Sequence, residues 1–574
     1  MHGDLAIRQS QGTPRVSTPN RITTITVINM SSSAPKAASG SESQPRDSRA
    51  SHTARDEIDW RVFLPSVLVI AGLIIPIILF PESGEAAVNT AFAFATGNFG
   101  WLYLLAGFSV VVFLIGLAFS RYGNVRLGGP QDTPEFSYFS WVAMIFAGGI
   151  GIAIVNWAWV EPIYYFTGPP FDVKAGSDAA AEWALAYGQF HWGLTPWAFY
   201  CLPAIPIAYS MYVRNRPGVR LSVASSGVLG KRAEGWWGVL LDAVVVFGIV
   251  GGVGTSLGLA VPLVSRLVSD LLGIEPSFAL NLGVLLIWTA IFSASVWFGL
   301  AKGIKILSDI NVILAIVLLA FTFIAGPSLF MVEGWVNSLG TMLSNFVTMS
   351  LWTDPVGDST FWKDWTVFYW AWWIAYAPMM GLFVARISRG RTIRELIIAE
   401  LVFGSLGCWV FFAVWGGYAL DLQVSGTLDV AAVLSDGGIP GAVSAILATL
   451  PFSGLITASF ILLCFIFLAT TLDSSAYVLA SVTTRELSGY QEPRRSVRLI
   501  WAFLIAGVGV ALIQLGGLKA VQTSTIVVAL PMIPVLFILT WSLVRWLRQD
   551  FARKVLEPHL VLETPSPCND AKSR

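Results

Sequence analysis

Trp365-Thr-Val-Phe-Tyr-Trp-Ala-Trp-Trp-Ile-Ala-Tyr376 decides how this chain is read. Five Trp or Tyr residues fall within the eight positions from Tyr369 to Tyr376. An apolar run continues to Ala385, and Arg386, Arg389, Arg391 and Arg394 follow. Aromatic faces this dense, in a segment of membrane length, have one recurrent use. They hold a cation with no N–H to donate, such as a quaternary ammonium.

Working outward, composition fixes the class. Of 574 residues, 55 % are hydrophobic and only 12 % charged, with a mean hydropathy of +0.69. This is an all-α polytopic membrane protein rather than the roughly four soluble domains its length would otherwise imply. Net charge is zero, which gives no argument for nucleic acid or an acidic substrate. Of the four cysteines, Cys201, Cys408 and Cys464 lie in apolar segments, Cys568 near the C-terminus, and none has CxxC or His spacing. The first three read as buried free thiols, and neither a metal site nor a disulfide framework is supported.

Residues 1–57, rich in Ser, Thr, Pro and Arg, read as a disordered cytoplasmic tail. They are not a secretory signal, because the first apolar segment begins near Val62. Met30 is an alternative start. Residues 549–574 read as a short polar C-terminal tail, leaving 58–548 as the membrane domain.

Twelve segments reach spanning length, at about 62–80, 100–119, 138–158, 188–212, 237–268, 280–299, 306–327, 364–386, 394–418, 454–483, 497–515 and 522–547. Alternate loops are basic, carrying Arg121 and Arg126, Arg214 to Arg232, Lys302 and Lys305, the arginines after Ala385, and Arg485 to Arg495. The others are acidic, with Glu82, Asp172, Glu275, Glu333 and Asp421 among them. The positive-inside rule then puts the basic loops and both termini in the cytoplasm, as an even number of spans requires. The mixed segment 336–350 reads as an amphipathic helix on the periplasmic surface.

Three further stretches could carry chemistry. The third span reads Phe146-Ala-Gly-Gly-Ile-Gly-Ile-Ala153. Its glycines permit either close helix packing or an unwound helix whose free carbonyls line a cavity. The fourth span begins Phe190-His-Trp-Gly-Leu-Thr-Pro-Trp-Ala-Phe-Tyr200, where Trp197 and Tyr200 share a helix face. An interfacial aromatic belt is the plainer reading for Trp192 and Trp197; it explains Trp372, Trp373 and Tyr376 less well. The tenth span holds Ala469-Thr-Thr-Leu-Asp-Ser-Ser475. The hydroxyls of Thr470 and Thr471 suit a hard monovalent cation or an interhelical hydrogen bond, and Asp473 is an ionisable group at membrane depth. Enzyme motifs are absent: there is no P-loop, GxSxG or HExxH, and the four histidines do not cluster. His191, beside Trp192, reads as a packing residue.

These residues resemble the betaine/choline/carnitine transporters over roughly 56–548. The marks are Trp365-Thr-Val-Phe-Tyr-Trp-Ala-Trp-Trp373 with Ala385-Arg-Ile-Ser-Arg-Gly-Arg-Thr-Ile-Arg-Glu395, Glu161-Pro162 and Phe190-His-Trp-Gly193. The resemblance implies a fold like that of the sodium-coupled amino-acid transporters, with 12 transmembrane helices. Two inverted five-helix repeats, at about 138–330 and 364–548, would follow two extra N-terminal helices. It also implies a homotrimer in a bacterial inner membrane. The family's aromatic box falls on Trp192, Trp197, Tyr200, Trp372, Trp373 and Tyr376. Its sodium site falls on the carbonyls of Ala147 and Ile150 and the hydroxyls of Thr470 and Thr471. Sodium-independent exchangers of the family carry an arginine after Ser-Asp in the seventh span, where this chain reads Ser308-Asp-Ile-Asn311. Choline-selective, proton-coupled members carry an acid where this chain has Ala153. Asn156 puts an amide where the exchangers have an aromatic, within reach of a substrate carboxylate or of another helix.

The expectation is a secondary transporter, not an enzyme, with no cofactor beyond a coupling sodium ion. It would import an onium solute, glycine betaine first, by sodium symport. Carnitine exchange, and proton-coupled uptake of choline or of a sulfonium such as dimethylsulfoniopropionate, are the alternatives. A receptor that binds solute without moving it is a third class, which a flux assay separates.

Overall fold

The computed structural model describes residues 58–556, apart from 130, 150, 217, 299–300, 486–492 and 516. The expected tail 1–57 and the end 557–574 lie outside the described residues. Every element among the described residues is helical, with only two isolated bridges, Ile58 to Thr484 and Arg126 to Thr392.

The helices that position the site are, in order, α1 (Trp60–Leu79), α2 (Pro81–Phe119), α3 (Tyr138–Gly149), α4 (Ile152–Thr167), α5 (Asp178–His191), α6 (Leu194–Ala208) and α7 (Trp236–Leu272). Next come α8 (Phe278–Phe298), α9 (Ala301–Ala325) and α10 (Ser328–Ser344). The second half holds α11 (Trp362–Ile387), α12 (Ile393–Val424), α13 (Val430–Ala448) and α14 (Ser453–Val482). It closes with α15 (Arg495–Leu515), α16 (Gly517–Ala529) and α17 (Met532–Leu556).

Nine helices among the described residues are long and apolar enough to cross a membrane, or eleven if two bent pairs each count once. The expected twelve is not reached. The fourth expected span is split into α5 and α6, and the described apolar part of α8, Phe278–Ala294, is short. In the other direction, α13 passes the length and composition test without having been expected. Asp436, Gly437, Gly438 and Pro440 disguise it, and Gly438 (φ 62°) kinks it midway.

The break between α3 and α4 turns the chain by 69°. Close packing and unwinding, offered as alternatives, both occur here. A Cβ on Gly148 would come within 2.5 Å of the Phe383 ring, and one on Gly149 within 2.7 Å of the Trp197 ring. The glycines let α6 and α11 approach the backbone where it leaves the helix.

The expected helix at 336–350 forms as α10 and the turn Phe346–Leu351, bent 109° away from Asp309–Ala325. The C-terminal boundary shifts, because α17 runs on to Leu556 instead of ending near 548. Asp550 accepts from the Tyr209 hydroxyl at 2.6 Å and pairs with Arg214 at 2.9 Å, which holds the extra turns against the end of α6.

Candidate functional site

A cavity of about 600 Å³ lies between the α3–α4 break, α6, α11 and α14. Its aromatic wall is Tyr200, Trp372, Trp373 and Tyr376. Trp372 and Trp373 stack at 5.5 Å with 10° between their planes. Tyr200 meets Trp373 edge-on at 5.9 Å, and the Tyr376 hydroxyl is bonded to Ser256 Oγ on α7 at 2.6 Å. Adjacent Trp residues on one helix would normally point about 100° apart; here stacking brings both to one cavity.

Trp192, Trp197 and Asn156 do not line this cavity. Trp192 packs edge-on against Trp373 at 4.8 Å, and Trp197 edge-on against Tyr200 at 5.8 Å while stacking on Phe146. These two rings form a layer behind the wall. The cause is the break: α5 ends at His191, and Gly193 starts α6 afresh, so Trp192 has no helical register with Trp197. Gly193 is confined there, since a Cβ would meet the Gln189 carbonyl at 2.6 Å and Trp409 Nε1 at 2.8 Å. Asn156 is buried in α4; its Nδ2 reaches back to the Ile152 carbonyl at 3.4 Å, and its Oδ1 has no partner among the described residues.

Behind the wall sits an anchor that the sequence reading treated only as a family mark. Glu161 is fully buried and accepts from the Tyr165 hydroxyl at 2.7 Å, Trp192 Nε1 at 2.8 Å and the Tyr369 hydroxyl at 2.6 Å. His191 Nδ1 lies 3.4 Å from it and 2.8 Å from the Tyr165 hydroxyl. His191 Nε2 faces Thr366 at 3.1 Å, and the His191 carbonyl accepts from Trp373 Nε1 at 3.0 Å. One carboxyl thus ties α4, the end of α5 and α11 together, and sets the tilt of the rings around Trp373. A glutamate inside Trp-Ala-Trp-Val-Glu-Pro was the available signal, because a lone buried acid needs partners.

Opposite the aromatic wall, Ala147, Gly149, Gly151, Thr470 and Thr471 line the cavity. A Cβ on Gly151 would lie 3.0 Å from Thr471 Oγ1, so the break and α14 are in near contact. Ile150 lies outside the described residues. Both threonine hydroxyls donate to the Phe467 carbonyl at 2.9 Å, which leaves each oxygen with acceptor capacity to spare. The last carbonyls of α3 have no partner within their own helix. The cavity lining therefore includes neutral hydroxyl oxygens of α14 and the backbone at the end of α3, oxygen chemistry of the kind a hard cation takes. Among the described residues no group of three or more His, Cys, Asp or Glu is placed to hold a metal.

The cavity extends to Asp309, Arg386, Asp473 and Tyr477, at the end of α11 that carries the basic loop. Asp473 pairs with Arg498 at 2.8 Å, and the guanidinium carbons of Arg386 and Arg498 lie 5.3 and 5.6 Å from the Tyr477 ring centre. At the other end, Trp157, Trp365, Phe368 and Tyr369 are buried against one another.

A broken helix, an aromatic cavity at the break and many apolar helices define a membrane transporter. The chain matches the family model for the betaine/carnitine/choline transporters, BCCT, over residues 61–552. It is 36 % identical over 494 residues to a carnitine transporter of Acinetobacter baumannii, covering 86 % of this chain and 88 % of that one. It is also 36 % identical over 440 residues to the uncharacterized transporter YeaV of Escherichia coli, covering 76 % of this chain and 91 % of that one. The chain belongs to the betaine/carnitine/choline transporter family.

Proposed function

We propose that the chain imports a quaternary-ammonium or related onium solute by sodium symport. The observation that carries this reading is the meeting of two surfaces in one cavity: the rings of Tyr200, Trp372, Trp373 and Tyr376, and the oxygens of Thr470, Thr471 and the end of α3. Each ring face contributes about 0.5–2 kcal/mol to holding a desolvated cation. Glycine betaine remains the first substrate to try, and the relative named as a carnitine transporter puts carnitine beside it.

With the basic loops in the cytoplasm, the cavity faces inward and the packed rings at Trp365 close the outer side. Transport is then alternating access around a central site, one helix bundle rocking against the other. Inverted repeats, cytoplasmic termini and residence in a bacterial inner membrane belong to the same proposal. A homotrimer rests on the family resemblance alone.

The test is uptake of labelled glycine betaine and carnitine into proteoliposomes under an inward sodium gradient, with potassium in its place as the control. Accumulation with sodium alone, lost in a Thr470→Ala/Thr471→Ala double variant, is expected. Uptake that ignores sodium but needs solute preloaded inside would replace symport by exchange.

A further inference from the structure

Glu400 is a second acid in the core, and the site described above does not use it. It lies in the π-helical turn Ala399–Gly404 of α12, is fully buried, and neither carboxyl oxygen has a hydrogen-bond partner among the described residues. The turn packs against α3 and α6, two of the walls of the cavity. One turn further on, a Cβ at Gly404 would fall within 2.3 Å of the Trp197 ring, so that side chain of α6 lies directly on the α12 backbone here.

The ionisable groups of α6 within electrostatic range of Glu400 are the Tyr200 hydroxyl and the Cys201 thiol. Cys408, two turns along α12, faces Tyr200. The one ionisable side chain of α3 is Tyr138, which is engaged with Arg391 and Glu395 at the far end. No lysine, arginine or histidine pairs with Glu400 among the described residues. Tyr200 itself lines the cavity, so the turn that carries Glu400 packs against the helix that supplies one ring of the aromatic wall.

A carboxylate without donor or counter-charge carries a large desolvation penalty in such a place. Two conditions relieve it: a proton on the acid, or a cation close by. An onium head against Tyr200 supplies the second. We propose that Glu400 is a proton site linked to substrate binding, which carries a proton before the cation arrives and releases it to water when the cation is held. The O–H bond of the acid breaks, its electron pair stays on the carboxylate, and the onium charge balances the charge left behind. The inference rests on the onium reading of the cavity and is independent of sodium coupling.

The test is calorimetric titration of the purified full chain with choline, carnitine and glycine betaine, in two buffers of different ionisation enthalpy and across pH. The expected result is close to one proton released per solute bound, with affinity rising by up to about tenfold per pH unit. In Glu400→Gln the release disappears and the pH profile flattens. Binding without proton release by the natural chain, or equal release from the variant, overturns the inference and leaves the onium reading standing. The proton count of the natural chain decides the matter if the variant does not fold. If neither these three solutes nor dimethylsulfoniopropionate binds, the onium reading falls and takes this inference with it.

Discussion

Removing the Glu161 carboxyl is the perturbation whose outcome the structure constrains most tightly. In Glu161→Ala, the donors of Tyr165, Trp192 and Tyr369 lose their acceptor inside a fully buried site. The Tyr165 hydroxyl can re-pair with His191 Nδ1, so Trp192 Nε1 and the Tyr369 hydroxyl are the two left without a partner, at about 1–3 kcal/mol each and about 2 kcal/mol together at the least. Glu161→Gln differs in kind. Its amide oxygen, placed at the present Oε2, keeps Trp192 and Tyr369, while its amide group donates to the Tyr165 hydroxyl, which can turn toward His191 Nδ1. That variant costs about 1 kcal/mol. Thermal unfolding in detergent should rank natural chain, Glu161→Gln and Glu161→Ala in falling order. Uptake adds a second reading. Trp192 and His191 both support Trp373, so KM for the transported solute should rise about tenfold in the alanine variant (a loss near 1.4 kcal/mol) and far less in the glutamine one. Glu161→Ala matching the natural chain in both assays, or Glu161→Gln failing as badly as alanine, would refute the reasoning.

Two other outcomes follow from the same coordinates. Gly149→Ala drives a methyl into the Trp197 ring at 2.7 Å and should abolish uptake and lower stability, whereas Gly72→Ala, with nothing within 4 Å, should leave uptake unchanged; both are read by flux and thermal unfolding. At the start of α1, burial raises the Asp59 carboxyl, but its hydrogen bond and charge pairing with Arg220 outweigh this and hold it below the ordinary 3.8. A lowered carboxyl contributes stability that is present above its unfolded value and lost as pH falls through the folded one. Unfolding measured between neutral pH and pH 3 should therefore show an acid-side loss that Arg220→Ala reduces, since this arginine also holds the Thr484 carbonyl at 2.7 Å.

Much of the architecture was legible because membrane-length apolar runs and charged loops mark helices with little help from packing. The aromatic segment from Trp365 led directly to the wall formed by Trp372, Trp373 and Tyr376, and the glycines after Phe146 led to the break. What stayed hidden depends on local breaks in register. Trp192 and Trp197 were placed on one helix, but Trp192 caps the end of α5 and Trp197 lies within α6, so the two have no common register. The kink at Gly438 hid α13 among turn residues. Glu400, an acid inside the expected span 394–418, was a signal of the same kind as Asp473 and was passed over. It lies in a π-helical turn packed against α3 and α6, and that packing is tertiary.

The central claim is that this cavity holds a positive charge on aromatic faces. Glycine betaine and 3,3-dimethylbutyrate have nearly the same shape, but only the first carries a cationic head. Competition of each against labelled substrate on the purified chain separates charge from shape. At about 0.5–2 kcal/mol per ring face, four rings predict that the neutral-headed analogue binds at least about thirtyfold more weakly. Equal affinity for the two would contradict the account.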